Sequence, residues 1–97
     1  GRTKAIIPMD YSGLSCKIFE IKKQVEDTGL ILIEDAAEAL GSSVKGTKVG
    51  SNADATIFSF TGNKVLTTGE GGALTTNSTK LYKKCKFKKN DSFELRH

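Results

Sequence analysis

The sequence predicts an α/β fold, in which helices flank a mainly parallel β-sheet. Two observations lead to this prediction. In residues 1–33, a segment whose apolar residues recur at helical spacing is flanked by two short apolar runs. A strand, a helix and a second strand in so short a stretch make a βαβ unit, with parallel strands and a right-handed crossover. The second run is also apolar throughout, which is typical of a strand covered on both faces.

The first strand and the helix are predicted by two different spacings. The run Ala5 to Met9 is apolar and ends at Asp10, which predicts a strand, and a turn is expected at residues 12–13. Between residues 15 and 28, apolar residues recur every three or four positions with charged residues between them, which predicts an amphipathic helix. Ser15 is its expected N-cap, and Gly29 is expected to end it.

The second strand, Leu30 to Ile33, is followed directly by Glu34 and Asp35. Ligands of parallel sheets bind beyond the carboxyl ends of the strands, so these carboxylates are candidate functional groups. An apolar run followed by two acids is also typical of the magnesium-binding strand of phosphate-loop nucleotidases, but the sequence contains no GxxxxGK[ST] loop. A purely structural role for Asp35, capping the next turn, is equally compatible with its position.

The remaining elements are predicted by turn residues and short apolar runs. They are a helical turn at Ala36 to Leu40 stopped by Gly41, a hairpin at Val44 to Val49 turning at Lys45-Gly46, strands at Ala55 to Phe60 and Ala73 to Thr76, and a helix capped by Asn77 or Ser78.

Lys64 lies in a polar stretch, residues 61–72, that contains four glycines and the hydroxyls of Thr67 and Thr68. Glycine permits left-handed backbone conformations and close approach of the backbone to a ligand. A lysine held in such a site is a candidate nucleophile. A surface lysine in a mobile loop would have the same local sequence, so the position of Lys64 alone does not decide its role.

The net charge of +4 comes largely from residues 80–89, which hold six lysines. Such a run is found in nucleic-acid and membrane-binding segments. It is also found on the solvated face of a helix, here with a narrow apolar stripe of Leu81, Tyr82 and Cys85. The run has no arginine and few aromatic residues, which favours the solvated helix; we therefore expect neither a nucleic-acid nor a membrane partner.

The positions of the cysteines and of the histidine limit which disulfides, metal sites and catalytic triads the chain can form. Cys16 and Cys85 are far apart and lack a CxxC partner, which predicts reduced thiols and a cytoplasmic protein. The only histidine is His97, so we expect no metal site and no histidine-based triad. The sequence has no apolar run of membrane-spanning length and no signal-peptide pattern.

Three segments together resemble one family. They are EDAAEALG at residues 34–41, VKGTKVG at residues 44–50 and FSFTGNKVLTTGEGG at residues 58–72. The chain is similar over nearly its whole length to the DegT/DnrJ/StrS nucleotide-sugar aminotransferases, which depend on pyridoxal 5'-phosphate. The resemblance implies the type I aspartate aminotransferase fold, with residues 1–97 forming a central part of the large, cofactor-binding domain.

The resemblance also implies roles for four residues. Lys64 would form the Schiff base with the cofactor and then act as the acid and base of the reaction. Asp35 would pair with the pyridine nitrogen and keep it protonated. Ser59 would bind the cofactor phosphate. Glu38 occupies a position where the family often has Gln or His against the ring, and its role is the least defined by the resemblance.

The implied reaction is amino transfer to a nucleotide-linked keto sugar, with glutamate as the usual amino donor and a homodimeric enzyme. Related sugar dehydratases have histidine in place of Lys64, so the lysine favours amino transfer. Gly62-Asn63 resembles members that act on 4-keto-6-deoxy sugars, whose products enter surface polysaccharides such as lipopolysaccharide. The N-terminal phosphate loop and the C-terminal small domain lie outside this sequence, so we expect residues 1–97 alone to be inactive. A non-catalytic α/β interaction module and a basic nucleic-acid-binding fragment are the alternatives.

Overall fold

The computed structural model describes the backbone of residues 1–94 and the side chains of residues 1–90. The elements in this part of the chain are β1 (Ala5–Ile6), α1 (Ile18–Val25), β2 (Ile31–Asp35), β3 (Ser43–Val44), β4 (Thr47–Lys48), β5 (Ala55–Ser59), β6 (Gly72–Thr75) and α2 (Thr79–Glu94). The predicted α/β class is confirmed. His97, on which the expectation about metal sites rested, lies outside the described residues.

The main sheet has four strands in the order β1-β2-β5-β6. Strands β1, β2 and β5 are parallel, with Ala5 paired to Ile31 and Ile33 paired to Ala55, whereas β6 runs antiparallel to β5. The mainly parallel sheet and the βαβ unit are therefore confirmed. The carboxyl ends of the three parallel strands lie at one edge of this sheet, and that edge carries the predicted site.

The first strand is shorter than predicted, because Ala5–Ile6 alone pairs regularly with β2. Pro8 has no amide hydrogen to donate to a strand ladder. Its carbonyl accepts the Asp35 amide at 2.9 Å, and Met9 then rejoins β2 through an isolated bridge to Asp35. The chain thus stays beside β2 as far as Asp10 without forming one continuous strand.

The prediction that Ser15 caps α1 was wrong. The helix begins at Ile18 with Lys17 at the cap position, and no side chain caps it. The Ser15 hydroxyl donates instead to the carbonyl of Cys16 at 3.1 Å. At the other end, Asp27 and Gly29 have φ angles of 62° and 74°, so left-handed residues turn the chain toward β2.

The prediction that both faces of β2 are buried was also wrong for this chain. Leu32 is 2% exposed and Glu34 is fully buried, whereas Ile31 is 44% exposed. Leu32 borders the same depression as Val25 of α1, and Ile31 faces Leu81 of α2 across a shallow cleft. Only the α1 side of the strand is therefore tightly covered by the described residues.

Residues 36–41 form hydrogen-bonded turns rather than the predicted helical turn, since the Ala39 amide donates to the Ala36 carbonyl at 3.1 Å. The predicted hairpin is confirmed: β3 and β4 are antiparallel, and Lys45 and Gly46 have φ angles of 49° and 76°. Positive φ at both central residues is the requirement of a two-residue type I′ turn.

The basic segment forms α2, as predicted, and the Ser78 hydroxyl accepts the Leu81 amide at 3.2 Å as its N-cap. Leu81 and Cys85 are half-buried, but Tyr82 is 53% exposed, so the apolar stripe is narrower than predicted. No helix in the described part of the chain is long and apolar enough to cross a membrane.

The packing of α1 against the sheet can be tested with Ile18, whose side chain is fully buried. Ile18→Ala removes buried methyl groups and leaves a cavity, so we expect it to lower the free energy of unfolding by about 2–5 kcal/mol. Ile21→Ala, in the same helix at a half-buried position, is expected to cost less. Denaturant unfolding of both variants checks this, and equal losses would contradict the packing described.

Candidate active site

Asp35 and Ser59 are the last residues of two adjacent parallel strands, β2 and β5. Asp35 pairs with Ile57, which lies two residues before Ser59. Because side chains alternate between the faces of a strand, Asp35 and Ser59 lie on the same face of the sheet. The sheet register therefore places a carboxylate and a hydroxyl on one face at the carboxyl edge.

Asp35 is held firmly by its backbone and only partly by its side chain. Its amide donates to the Pro8 carbonyl at 2.9 Å, and its carbonyl accepts the Asp10 amide at 2.8 Å. Its Oδ1 accepts the Ala37 amide at 3.1 Å, so the predicted capping of the next turn does occur. No donor among the described side chains is bonded to Oδ2 of this half-buried residue, which leaves that oxygen for a ligand.

Lys64 lies in a turn after β5, where its amide donates to the Thr61 carbonyl at 3.0 Å. Its Nζ is 3.8 Å from Glu38 Oε1, and the two side chains are 19% and 41% exposed. At this distance and exposure the ion pair contributes less than about 1 kcal/mol. The amine can therefore exchange Glu38 for another partner at little cost.

Glu38 is fixed by the turn that follows Asp10. Its Oε2 accepts the Ser12 amide at 3.1 Å, and its carbonyl accepts the Gly13 amide at 3.0 Å. Glu38 and Lys64 line a small open depression with Asn63 and Val65. The arrangement brings together two residues that are 26 positions apart in the sequence.

The glycine-containing loop, residues 61–71, folds back onto the end of β5. The Thr68 amide and the Thr67 hydroxyl both donate to the Phe60 carbonyl, at 2.9 and 3.1 Å. The Phe60 amide donates to the Gly71 carbonyl at 2.9 Å, and Gly71 has a φ of 145°. The Thr67 hydroxyl thus closes the loop that contains Lys64.

Thr61 is a site residue that sequence reasoning missed. Its Oγ1 lies 3.3 Å from Ser59 Oγ and 3.2 Å from Asn63 Oδ1. The signal was present, because alternation along the strand places residues 59 and 61 on the same side. Two hydroxyls, rather than Ser59 alone, are therefore offered at the end of β5.

The structure joins two of the four predicted residues directly, Lys64 and Glu38. No hydrogen bond or ion pair within the described side chains joins Asp35 or Ser59 to Lys64; these residues share only the sheet edge. A carboxylate, a primary amine and a pair of hydroxyls suit a ligand with a protonated ring nitrogen, an aldehyde and a phosphate. The residues present therefore fit pyridoxal phosphate.

Comparison with known proteins gives one consistent result. The model of the DegT/DnrJ/EryC1/StrS aminotransferase family matches residues 1–96. MJ1066 of Methanocaldococcus jannaschii is 51% identical to this chain, over 88% of this chain and 22% of its own length. GDP-perosamine synthase of Vibrio cholerae is 44% identical, over 92% of this chain and 24% of its own length. The structure of Helicobacter pylori PseC, an aminotransferase involved in the biosynthesis of pseudoaminic acid, superposes with a TM-score of 0.84 at 42% identity, covering 88% of this chain and 23% of PseC. The chain spans about a quarter of the length of these relatives.

Proposed function

Because this chain belongs to the DegT/DnrJ/EryC1/StrS aminotransferase family, whose enzymes depend on pyridoxal phosphate, we propose that the protein transfers an amino group to a keto carbon of a nucleotide-linked sugar. The observation that carries the proposal is that Asp35 and Ser59 end adjacent parallel strands on one face of the sheet, and that Lys64 lies in the closed loop directly after the second of these strands. The names of the relatives, a GDP-perosamine synthase and a pseudoaminic acid aminotransferase, support the sugar substrate.

The proposed cofactor site uses the groups described above. When bound, pyridoxal phosphate supplies a ring that accepts electrons from the reacting carbon. Asp35 Oδ2 would keep the ring nitrogen protonated, and Ser59 with Thr61 would donate hydroxyl hydrogens to the phosphate. Lys64 would hold the cofactor covalently through Nζ. Once released, the same amine would move a proton to and from the substrate.

Glu38 has a positioning role in this proposal. Its carboxylate is within 3.8 Å of Lys64 Nζ and is itself fixed by the Ser12 amide. Glu38 would therefore orient Lys64 between proton transfers.

The finer features of the proposal follow from the family resemblance. The sugar would be a 4-keto-6-deoxy sugar, glutamate would be the donor, and the product would enter a surface polysaccharide. Residues 1–97 would be a central part of the large domain of a cytoplasmic homodimeric enzyme, with the rest of the cofactor site contributed by other parts of the protein. By themselves these residues would not catalyse the reaction.

An amino-transfer assay tests the function. The protein in its full encoded length is incubated with pyridoxal phosphate, glutamate and GDP- or UDP-linked 4-keto-6-deoxy sugars. We expect catalytic formation of 2-oxoglutarate and, by mass spectrometry, an amino sugar nucleotide. Reactions without sugar should give no amino sugar nucleotide and no more 2-oxoglutarate than the amount of cofactor present, and residues 1–97 alone should give neither product. A folded protein that binds none of these sugars and transfers no amino group would instead support the non-catalytic module.

A further inference from the structure

Two acidic side chains, Asp10 and Glu34, are fully buried beneath the candidate site. Asp10 lies at the end of the segment that follows β1, and Glu34 is the fourth residue of β2, directly before Asp35. Glu34 was a candidate functional group because it follows the apolar strand, but the family resemblance assigns a role to neither residue. Buried carboxyl groups are uncommon without a cationic partner, so their presence in the core requires a physical account.

Each carboxyl group has one oxygen that accepts hydrogen bonds. Asp10 Oδ1 accepts the Cys16 amide at 2.8 Å. Glu34 Oε2 accepts the Gly50 amide at 2.9 Å and the Thr56 hydroxyl at 3.2 Å. The second oxygens, Asp10 Oδ2 and Glu34 Oε1, are buried and have no partner among the described residues.

The two groups are also close together. A carboxylate oxygen of Asp10, one of Glu34 and the Cys16 sulfur all lie within 4.8 Å of one another. The groups that donate to the pair, the amides of Cys16 and Gly50 and the Thr56 hydroxyl, carry no charge. Burial, together with the nearby Asp10 carboxylate, raises the pKa of the Cys16 thiol to about 12, so this thiol is neutral and supplies no charge either.

Two ionised carboxylates in this position would repel each other, and each would leave a buried oxygen without a donor. One proton removes both penalties, because the protonated oxygen of one group becomes a donor to the bare oxygen of the other. Burial raises the pKa of Glu34 above its ordinary value, against the opposing effect of the Gly50 amide, and the charge of Asp10 raises it further. Both effects favour the proton on Glu34.

We infer that Asp10 and Glu34 share one proton at neutral pH, with Glu34 Oε1 donating to Asp10 Oδ2, and that this bond positions Asp35. Asp35 is the neighbour of Glu34 in the chain, and its carbonyl accepts the Asp10 amide at 2.8 Å. The bond thus joins β2, which contains Asp35, to the segment from Pro8 to Asp10, whose backbone bonds to the Asp35 amide and carbonyl. The positioning role rests on the proposed function of Asp35, whereas the shared proton does not.

Infrared spectroscopy tests the shared proton without any cofactor. At neutral pH we expect the carbonyl stretch of a protonated carboxyl group in the full-length protein. The band should disappear in Glu34→Gln and also in Asp10→Asn, whose amide would donate to an ionised Glu34. Glu20→Gln, at an exposed position on α1, is the matched control and should leave the band unchanged. Absence of the band from the parent protein, its survival in Glu34→Gln, or one equivalent of bound metal that is lost in Glu34→Gln would overturn the inference.

The pH dependence of stability gives a second test. A raised pKa in the folded state means that the proton's stabilisation is complete below the ordinary value of 4.5 and is lost as the pH rises toward the folded pKa. Gln at position 34 carries its donor at every pH. The ratio of the parent's unfolding constant to that of Glu34→Gln should therefore rise above pH 4.5, by up to about tenfold per pH unit. A ratio independent of pH would contradict the shared proton.

Two variants of the cofactor-loaded protein distinguish a role of the Asp10–Glu34 bond in positioning Asp35 from a contribution to folding stability alone. Glu34→Gln keeps a donor to Asp10 and should keep the visible circular dichroism of the bound cofactor and the parent's turnover at neutral pH. Glu34→Ala removes the bond, and a displacement of Asp35 by about 1 Å would lower turnover by roughly 10²-fold. An unchanged dichroism and turnover in a folded Glu34→Ala variant would remove the positioning role while leaving the infrared result intact.

Discussion

Replacing Lys64 with alanine is expected to lower amino transfer by roughly 10⁴-fold or more, the upper range for loss of an acid–base group. The variant loses both the covalent attachment of the cofactor and the amine that moves the proton. The loop should still close, because its closure uses the Thr68 amide and the Phe60 carbonyl rather than the lysine side chain. Initial rates with glutamate and the keto sugar that the amino-transfer assay selects measure the effect.

The matched control is Lys83→Ala, which removes an exposed lysine on α2 far along the chain from the site. Its activity and its visible cofactor absorption should equal those of the parent. In Lys64→Ala, that absorption should be lost together with the activity. If the cofactor absorption persisted in Lys64→Ala, the assignment of Lys64 as the residue that attaches the cofactor would be wrong.

Replacing Asp35 with asparagine is expected to lower turnover by roughly 10²–10³-fold, comparable to the loss of one electrostatic contact to developing charge. The carboxylate that keeps the ring nitrogen protonated is removed, so the ring accepts electrons less readily. The amide oxygen can still accept the Ala37 amide now bound at 3.1 Å, so the fold is preserved. Cofactor attachment at Lys64 should remain.

The control for this substitution is Asp27→Asn, at an exposed turn residue with a φ of 62°. Asparagine tolerates this left-handed conformation, so the change should be silent in both stability and activity. If Asp35→Asn retained the parent's turnover, the proposed pairing with the ring nitrogen would be wrong, and Asp35 would be left with the capping role alone.

The parts of the fold that depend on local sequence could be predicted. The helical spacing that includes Ile18 predicted α1, and Lys45-Gly46 predicted the hairpin turn; both are confirmed. The solved relatives, which are type I pyridoxal-phosphate aminotransferases, agree with the predicted class. The Ser15 cap failed because the helix begins only at Ile18, so that Lys17 takes the cap position and the Ser15 hydroxyl donates to the Cys16 carbonyl instead. Such a choice is decided by local geometry that residue type does not specify.

The candidate site could be predicted only in part, for the same physical reason. Lys64 stands out because of the glycines around it, and Asp35 because it follows an apolar strand. The contact between Lys64 and Glu38 could not be predicted, since it depends on how two distant loops fold over the sheet edge. The buried pair of Asp10 and Glu34 could not be predicted either, since it depends on how the segment after β1 packs beside β2.

The most direct test of the account is to locate the cofactor on the chain. The protein in its full encoded length is loaded with pyridoxal phosphate, reduced with borohydride, digested and analysed by mass spectrometry. The account predicts a phosphopyridoxyl group on the peptide that contains Lys64 and on no other lysine. A modified lysine elsewhere, or no modification of a folded and loaded protein, would contradict it.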